Sequence, residues 1–241
     1  MRLLLCCLLA LLLPPPLAHA GLDLGATRLI YTAGQGSVAL RVSTPDAHPV
    51  LVQAWVDAGD AGALPETIQT PFVVTPPLQR IDAGRDRNLL VRVADPAALP
   101  DDREVIYRLN IVEIPALPDT QGARFQVNTH SRIKLLYRPA GLRGQPGAAP
   151  GQLRWSLQPT AAGDWQLKVH NPGPYGVNIA SLSLEDGARR LDLAHDYLSP
   201  LADTLIALPA GTGIPSRALK IDLQWIDDVG AVHPLTATAG G

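Results

Sequence analysis

The chain has 241 residues with 20 Lys+Arg against 22 Asp+Glu, and its basic residues are scattered without a run, so neither charge nor patterning points to a nucleic-acid partner. Both cysteines, Cys6 and Cys7, fall in an apolar N-terminal stretch, which removes thiol catalysis, zinc–thiolate sites and disulfide stapling from everything that follows. His48, His130, His170, His195 and His233 have no ligand-type spacing, so no metal and no other cofactor is expected.

The first twenty residues, MRLLLCCLLALLLPPPLAHA, combine one basic residue (Arg2), an apolar run from Leu3 to Leu13, a proline break and an Ala-His-Ala ending. That pattern predicts a secretory signal peptide over residues 1–20, cleaved after about Ala20. The apolar run is well short of the roughly 20 residues a transmembrane helix needs. The chain from Gly21 is therefore expected to be exported, without membrane insertion, and its formal charge is 19 − 22 = −3 once Arg2 is gone.

Downstream, Pro and Gly are abundant and separate short runs with strand periodicity. Val38, Leu40 and Val42 alternate with Ala39, Arg41 and Ser43, a half-buried strand. Further runs follow at 50–57 (VLVQAWVD), 88–95 (NLLVRVAD) and 103–114 (REVIYRLNIVEI), with turn signals such as DAGDAG and DPAALPDD between them. GQGS at 34–37 lacks the Lys-Ser/Thr of a phosphate loop and reads as a hairpin turn. The stretch GLRGQPGAAPG interrupts the pattern and reads as a linker over 143–150. Strand signals resume after it in QLRWSLQ, DWQLKVHN, YGVNIASLSLED, DTLIALP and ALKIDLQWID. The expected fold is all-β: two β-sandwich domains, over 21–142 and 151–241.

In RIKLLYRP (132–139), Lys134 sits between apolar neighbours in an alternating strand. Such a lysine either snorkels to water or is held for an anionic partner. Taken with TRLIY (27–31), PFVVTPPLQRID (71–82), LPDDREVIYRLNIVEIP (99–115), NPGPYGVNI (171–179) and WIDDVGAV (225–232), this segment resembles, in order and spacing, the periplasmic pilus-assembly chaperones of the chaperone-usher pathway. The resemblance implies two immunoglobulin-like domains at an angle with a cleft between them. It also implies a non-enzymatic role: binding pilus subunits, lending each a strand, and passing them to an outer-membrane usher.

Residue by residue, the resemblance assigns Arg28 and Lys134 to the grip on the subunit's C-terminal carboxylate. It assigns the run at about 124–131 to the donated strand, with Phe125, Val127 and Thr129 entering the client, and Glu104, Arg138 and Asp228 to an interdomain ion network. Thr129 is smaller than the apolar group usual there. Strict alternation also puts Lys134 on the opposite face from Phe125 and Val127, so either the strand bulges or groove and cleft lie on different sides of it. The preceding loop (114–123) is short and free of cysteine, which looks like the short-loop branch of the family, with a more distant archaic branch as the alternative. Self-association of the free protein is a further possibility.

Two readings from other classes compete. One is an exported structural or adhesive immunoglobulin-like module without a client. The other is an exported β-sandwich hydrolase, which no acid, base or nucleophile constellation supports; the chain has no Gly-x-Ser-x-Gly elbow, and His195-Asp196 lacks the helical context of a metal phosphohydrolase.

Overall fold

The computed structural model describes residues 21–45, 48–116, 126–186, 189–209 and 219–239. Among these, regular structure is strand, interrupted only by four short 3-10 turns, and no helix is long and apolar enough to cross a membrane. The first domain runs through β1 (Asp23–Leu24), β2 (Arg28–Thr32), β3 (Val38–Ser43), β4 (Val50–Asp57), β5 (Phe72–Thr75), β6 (Leu78–Ile81), β7 (Asp86–Val93), β8 (Val105–Pro115) and β9 (Thr129–Arg138). They form two sheets, ordered β1-β3-β7-β5 and β2-β9-β8-β4-β6.

Period-2 alternation decides which side chains meet between the sheets. Val50, Val52, Ala54 and Val56 of β4, Leu109 and Ile111 of β8, and Ile133 and Leu135 of β9 are buried against Leu40, Val42, Leu89 and Val91 of the other sheet. Phe72 closes this core with its ring 4.9 Å from that of Tyr107 and 5.7 Å from that of Tyr31, both edge-on, the arrangement the ring quadrupoles favour.

The turn expected to close a hairpin at 34–37 does something else. β2 pairs in parallel with β9, and β3 pairs with β1 and β7 in the opposite sheet. The turn therefore carries the chain from one layer to the other. Gly34 supplies the positive φ of 85° it needs, and the Tyr31 hydroxyl donates to the Gln35 carbonyl.

The second domain contains β10 (Arg154–Pro159), β11 (Trp165–Asn171), β12 (Val177–Asp186), β13 (Arg189–Leu193), β14 (Tyr197–Leu198), β15 (Ala202–Ala207), β16 (Leu219–Ile226) and β17 (Val232–Ala239). Its sheets are β10-β11-β15 and β13-β12-β16-β17, with β14 on β12. Leu167, Val169, Leu182, Leu184, Ile221 and Leu223 lie at its centre. The 143–150 stretch, expected to be a free linker, is occupied by turns at Pro146–Ala148 and Pro150–Gln152, and Ala149 is buried in the second core. Proline at the start of each turn fixes the path there, and the Tyr175 hydroxyl donates to the Leu142 carbonyl.

Candidate functional site

The site is organised by β9. Its odd-numbered residues Ile133, Leu135 and Tyr137 face the first core, and on the other face His130, Arg132, Lys134 and Arg138 are less buried while Leu136 between them is buried. Along one side β9 pairs with β8 over nearly its whole length, from Val105↔Tyr137 to Glu113↔Thr129, with no register shift. Along the other side β2 pairs only with Lys134 to Arg138. The backbone of 129–133 on that side has no strand partner among the described residues.

Arg28, the first residue of β2, is level with Lys134. Its Nη1 donates to the Asp227 carbonyl at 3.0 Å, a contact with the second domain that leaves the charge facing a backbone oxygen rather than a carboxylate. Lys134 reaches the second domain too: Nζ is 3.1 Å from Asp196 Oδ2, donates to the Asp196 carbonyl, and lies 5.8 Å from the centre of the Tyr197 ring. Burial pushes the Lys134 ammonium below the usual lysine range despite the Asp196 charge. An ammonium in that state gains from any further anion brought beside it.

Arg138, two turns of the pleat further on, bridges the domains. Its Nε and Nη2 donate to Glu104 Oε2 at 2.9 and 2.7 Å, and its Nη1 and Nη2 donate to Asp228 at 2.7 and 3.0 Å. Burial works against the Arg138 charge, but hydrogen bonds and attraction from Asp228 and Glu104 outweigh it and hold the guanidinium firmly protonated. Glu104 is 1% exposed and also accepts from the Gly176 amide and the Tyr197 hydroxyl, each at 3.2 Å. Burial nevertheless pushes its carboxyl above the usual range, with those donors pulling the other way. Gly176 can only be glycine here, because a Cβ would collide with the Tyr197 ring and hydroxyl.

Of the residues expected in the donated strand, Phe125 lies outside the described residues, as does most of the loop before it. Val127 is 75% exposed and precedes the first strand residue, Thr129, which is also exposed. Strand structure thus begins at Thr129, opposite Glu113 and two residues from the end of β8 at Pro115, which has no N–H to continue the ladder. With an unbroken register from 129 to 137, Thr129 shares the face of Ile133 and Leu135, and Lys134 projects from the other.

Comparison with known families matches residues 21–143 to the pili and flagellar-assembly chaperone, PapD N-terminal domain, and residues 148–237 to the pili assembly chaperone PapD, C-terminal domain. The chain belongs to this family of pilus-assembly chaperones. Among its relatives, the chaperone protein FimB/FhaD of Bordetella pertussis is 37% identical over 92% of this chain and 89% of its own length. The probable fimbrial chaperone YadV of Escherichia coli is 35% identical over 88% and 87%. The crystal structure of YadV superposes with a TM-score of 0.77 at 32% identity, covering 91% of this chain and all of that one. The chaperone SafB in complex with the Salmonella enterica SafA pilin gives 0.72 at 31% identity, covering 90% and 95%.

The chaperone carries further polar residues on the same outward face that alternation alone does not single out. Arg108 of β8 stands directly opposite Lys134. Next to it lies a compact network in which Arg132 Nη2 donates to both Asp57 oxygens at 2.9 and 2.8 Å, and Asn110 Nδ2 donates to Asp57 Oδ2 at 2.6 Å. His130 Nε2 lies 2.9 Å from Asn110 Oδ1 and its ring is 5.5 Å from that of Trp55. Polar residues at Gln53 and Asp57 of VLVQAWVD and at Arg108 and Asn110 of VIYRLNIVE were the only signal available; the pairing of one strand with another depends on register, which a single strand does not encode.

Asp57 provides a pH test of this network. Burial alone would raise its carboxyl, but hydrogen bonds from Asn110, Arg132 and the Gly59 amide, with the Arg132 charge, hold it below the usual range. A depressed folded value stabilises the fold above the unfolded value of about 3.9, and that contribution is lost as pH falls through the folded one. Asp57→Asn is expected to lower stability at pH 7 by about 1–3 kcal/mol. Denaturant unfolding should show the difference from wild type shrinking as pH falls below the unfolded value of about 3.9; a gap that stays constant with pH would contradict the assignment.

Proposed function

We propose that this chaperone captures a pilus subunit by accepting the subunit's C-terminal strand on the open side of β9, with the terminal carboxylate held by Arg28 and Lys134. The observation that carries the reading is the unpaired backbone of 129–133, which ends where those two cations stand side by side. A strand laid there with its carboxylate at Lys134 must run in the same direction as β9, continuing the line that β2 occupies further on. Backbone hydrogen bonds supply attraction, and side chains at alternate positions supply selectivity. Thr129 and the exposed Val127 precede the anchor and are the groups offered to the client, with Phe125 before them. The SafA pilin seen with SafB supports a pilin as the client class, and the relatives' names favour this reading over a clientless adhesive module.

The rest of the cycle follows from the same reading: export by the N-terminal segment, work in the periplasm, no chemistry on the client, and release to an outer-membrane usher. The ion network of Glu104, Arg138 and Asp228 serves in this scheme to fix the angle between the domains, so that the carboxylate meets both cations at one place.

Arg28→Ala and Lys134→Ala are each expected to leave the fold intact while weakening capture roughly 10- to 100-fold, the equivalent of one charge-assisted hydrogen bond of about 1.5–3 kcal/mol. Co-purification of pilus subunits from a periplasmic extract reads this directly, and unchanged yield in both variants would contradict the anchor. For the clamp, Arg138→Ala leaves Glu104 buried without its counter-charge, so a loss of about 3–5 kcal/mol is expected. Thermal melts together with small-angle scattering should show lower stability and a broader distribution of interdomain angles; profiles matching wild type would remove the clamp from the scheme.

A further inference from the structure

Three cations stand in one row across the first domain's sheet. The β8–β9 register sets Arg108 directly opposite Lys134, and the β9–β2 register sets Lys134 directly opposite Arg28. Neighbouring strands are about 4.8 Å apart, and like charges facing each other across strands are destabilising. A row of this kind persists only where something anionic offsets it.

Its own domain supplies no such group to the Arg108–Lys134 pair among the described residues. The one carboxylate there comes from the second domain: Asp196 Oδ2 is 3.2 Å from Arg108 Nη2 and 3.1 Å from Lys134 Nζ. Both cations thus share a single carboxylate oxygen, and Lys134 also donates to the Asp196 carbonyl. Arg108 Nη1 is buried and has no hydrogen-bond partner, a costly state for a charged donor. The two neighbouring arginines of this face differ. Arg132 binds both oxygens of Asp57, and Arg138 is saturated by Glu104 and Asp228. Of these three arginines, Arg108 is the one with a buried guanidinium nitrogen left unmet, and the Asp196 side chain that meets its other nitrogen is 64% exposed.

We infer that Arg108 and Lys134 form a two-pronged fork for the client's terminal carboxylate, and that Asp196 holds this fork as an internal stand-in while the chaperone is free. The inference rests on the anchor proposed above and adds to it a third cation and a competitor. An arriving carboxylate with both oxygens available takes the place of one that engages by a single oxygen. Exchange of one anion for another keeps the row offset throughout, so the cleft is never left with three facing cations and no counter-charge. Capture and release are thereby an exchange between two carboxylates rather than the filling of an empty site.

The test uses the full exported chain and a fluorescein-labelled peptide of alternating Val and Thr, made with a free C-terminal carboxylate and as the C-terminal amide, with binding read by anisotropy. Wild type should prefer the carboxylate form by roughly 10-fold. Lys134→Gln and Arg108→Gln should each cut that preference to about 3-fold or less, and Arg108→Lys, which keeps one prong, should fall between. Asp196→Asn should tighten the carboxylate form about 3-fold and leave the amide form unchanged. Thermal melts confirm that each variant is folded, and the lysine variant carries the test of Arg108 if the glutamine one is not.

If Lys134→Gln loses the preference while Arg108→Gln and Arg108→Lys keep it in full, the fork is wrong and the anchor stands. If Asp196→Asn weakens the carboxylate form or leaves it unchanged, Asp196 is not a stand-in. If wild type fails to bind the peptides, or does not distinguish them, the anchor itself is overturned and the fork with it.

Discussion

β2 is five residues long and lies beside a strand of ten. The rest of the site depends on that shortfall, because among the described residues the uncovered half of β9 is a row of backbone donors and acceptors with no strand beside it. An open edge of this kind is a hazard in most proteins, which blunt it with charge, proline or a covering loop. Here, among the described residues, the edge has no strand beside it and ends at two cations, Arg28 and Lys134. In the proposed scheme, self-association of the free chaperone and client binding draw on this one surface.

The second domain contributes by reaching across to that inner end. Asp196 touches Lys134 and Arg108, the Asp227 carbonyl receives Arg28, and Asp228 meets Arg138. Glu104 joins these contacts from beneath, taking hydrogen bonds from Arg138, Gly176 and Tyr197, while its own amide donates to the Pro174 carbonyl at 2.8 Å. Removing so buried a carboxylate from water is expensive and is offset only by this full set of donors. In the proposed scheme these polar contacts, made together, favour one angle between the domains over its neighbours.

Much of the first layer was legible in the chain. Alternation in VALRVS and VLVQAWVD marks strands whose apolar faces are the ones buried, and the proline- and glycine-rich stretches fall between strands. Lys134 stood out as a lysine among apolar neighbours, but Arg28, Glu104, Arg138 and Asp228 were singled out only through family resemblance, since charged residues on separate strands carry no local sign that they meet. Arg108 and Asp196 escaped notice for the same reason: their closeness to Lys134 depends on the β8–β9 register and on how the domains dock. The misread turn at 34–37 has a similar origin, because local turn chemistry says where a chain bends and not which sheet it enters afterwards. The parity of Lys134 against Thr129 was legible, and the unbroken register from Thr129 to Tyr137 puts the two on opposite faces of one strand.

Completion of the open half of β9 by a client strand is read residue by residue in amide hydrogen exchange. Exchange is compared for the free chaperone and for its complex with a co-purified pilus subunit. Alternate amides between 129 and 133 should exchange fast in the free protein and slow markedly in the complex, while those paired with β8 stay protected in both. Slowing confined to another edge, such as β5 or β15, with 129–133 unchanged, would contradict the account.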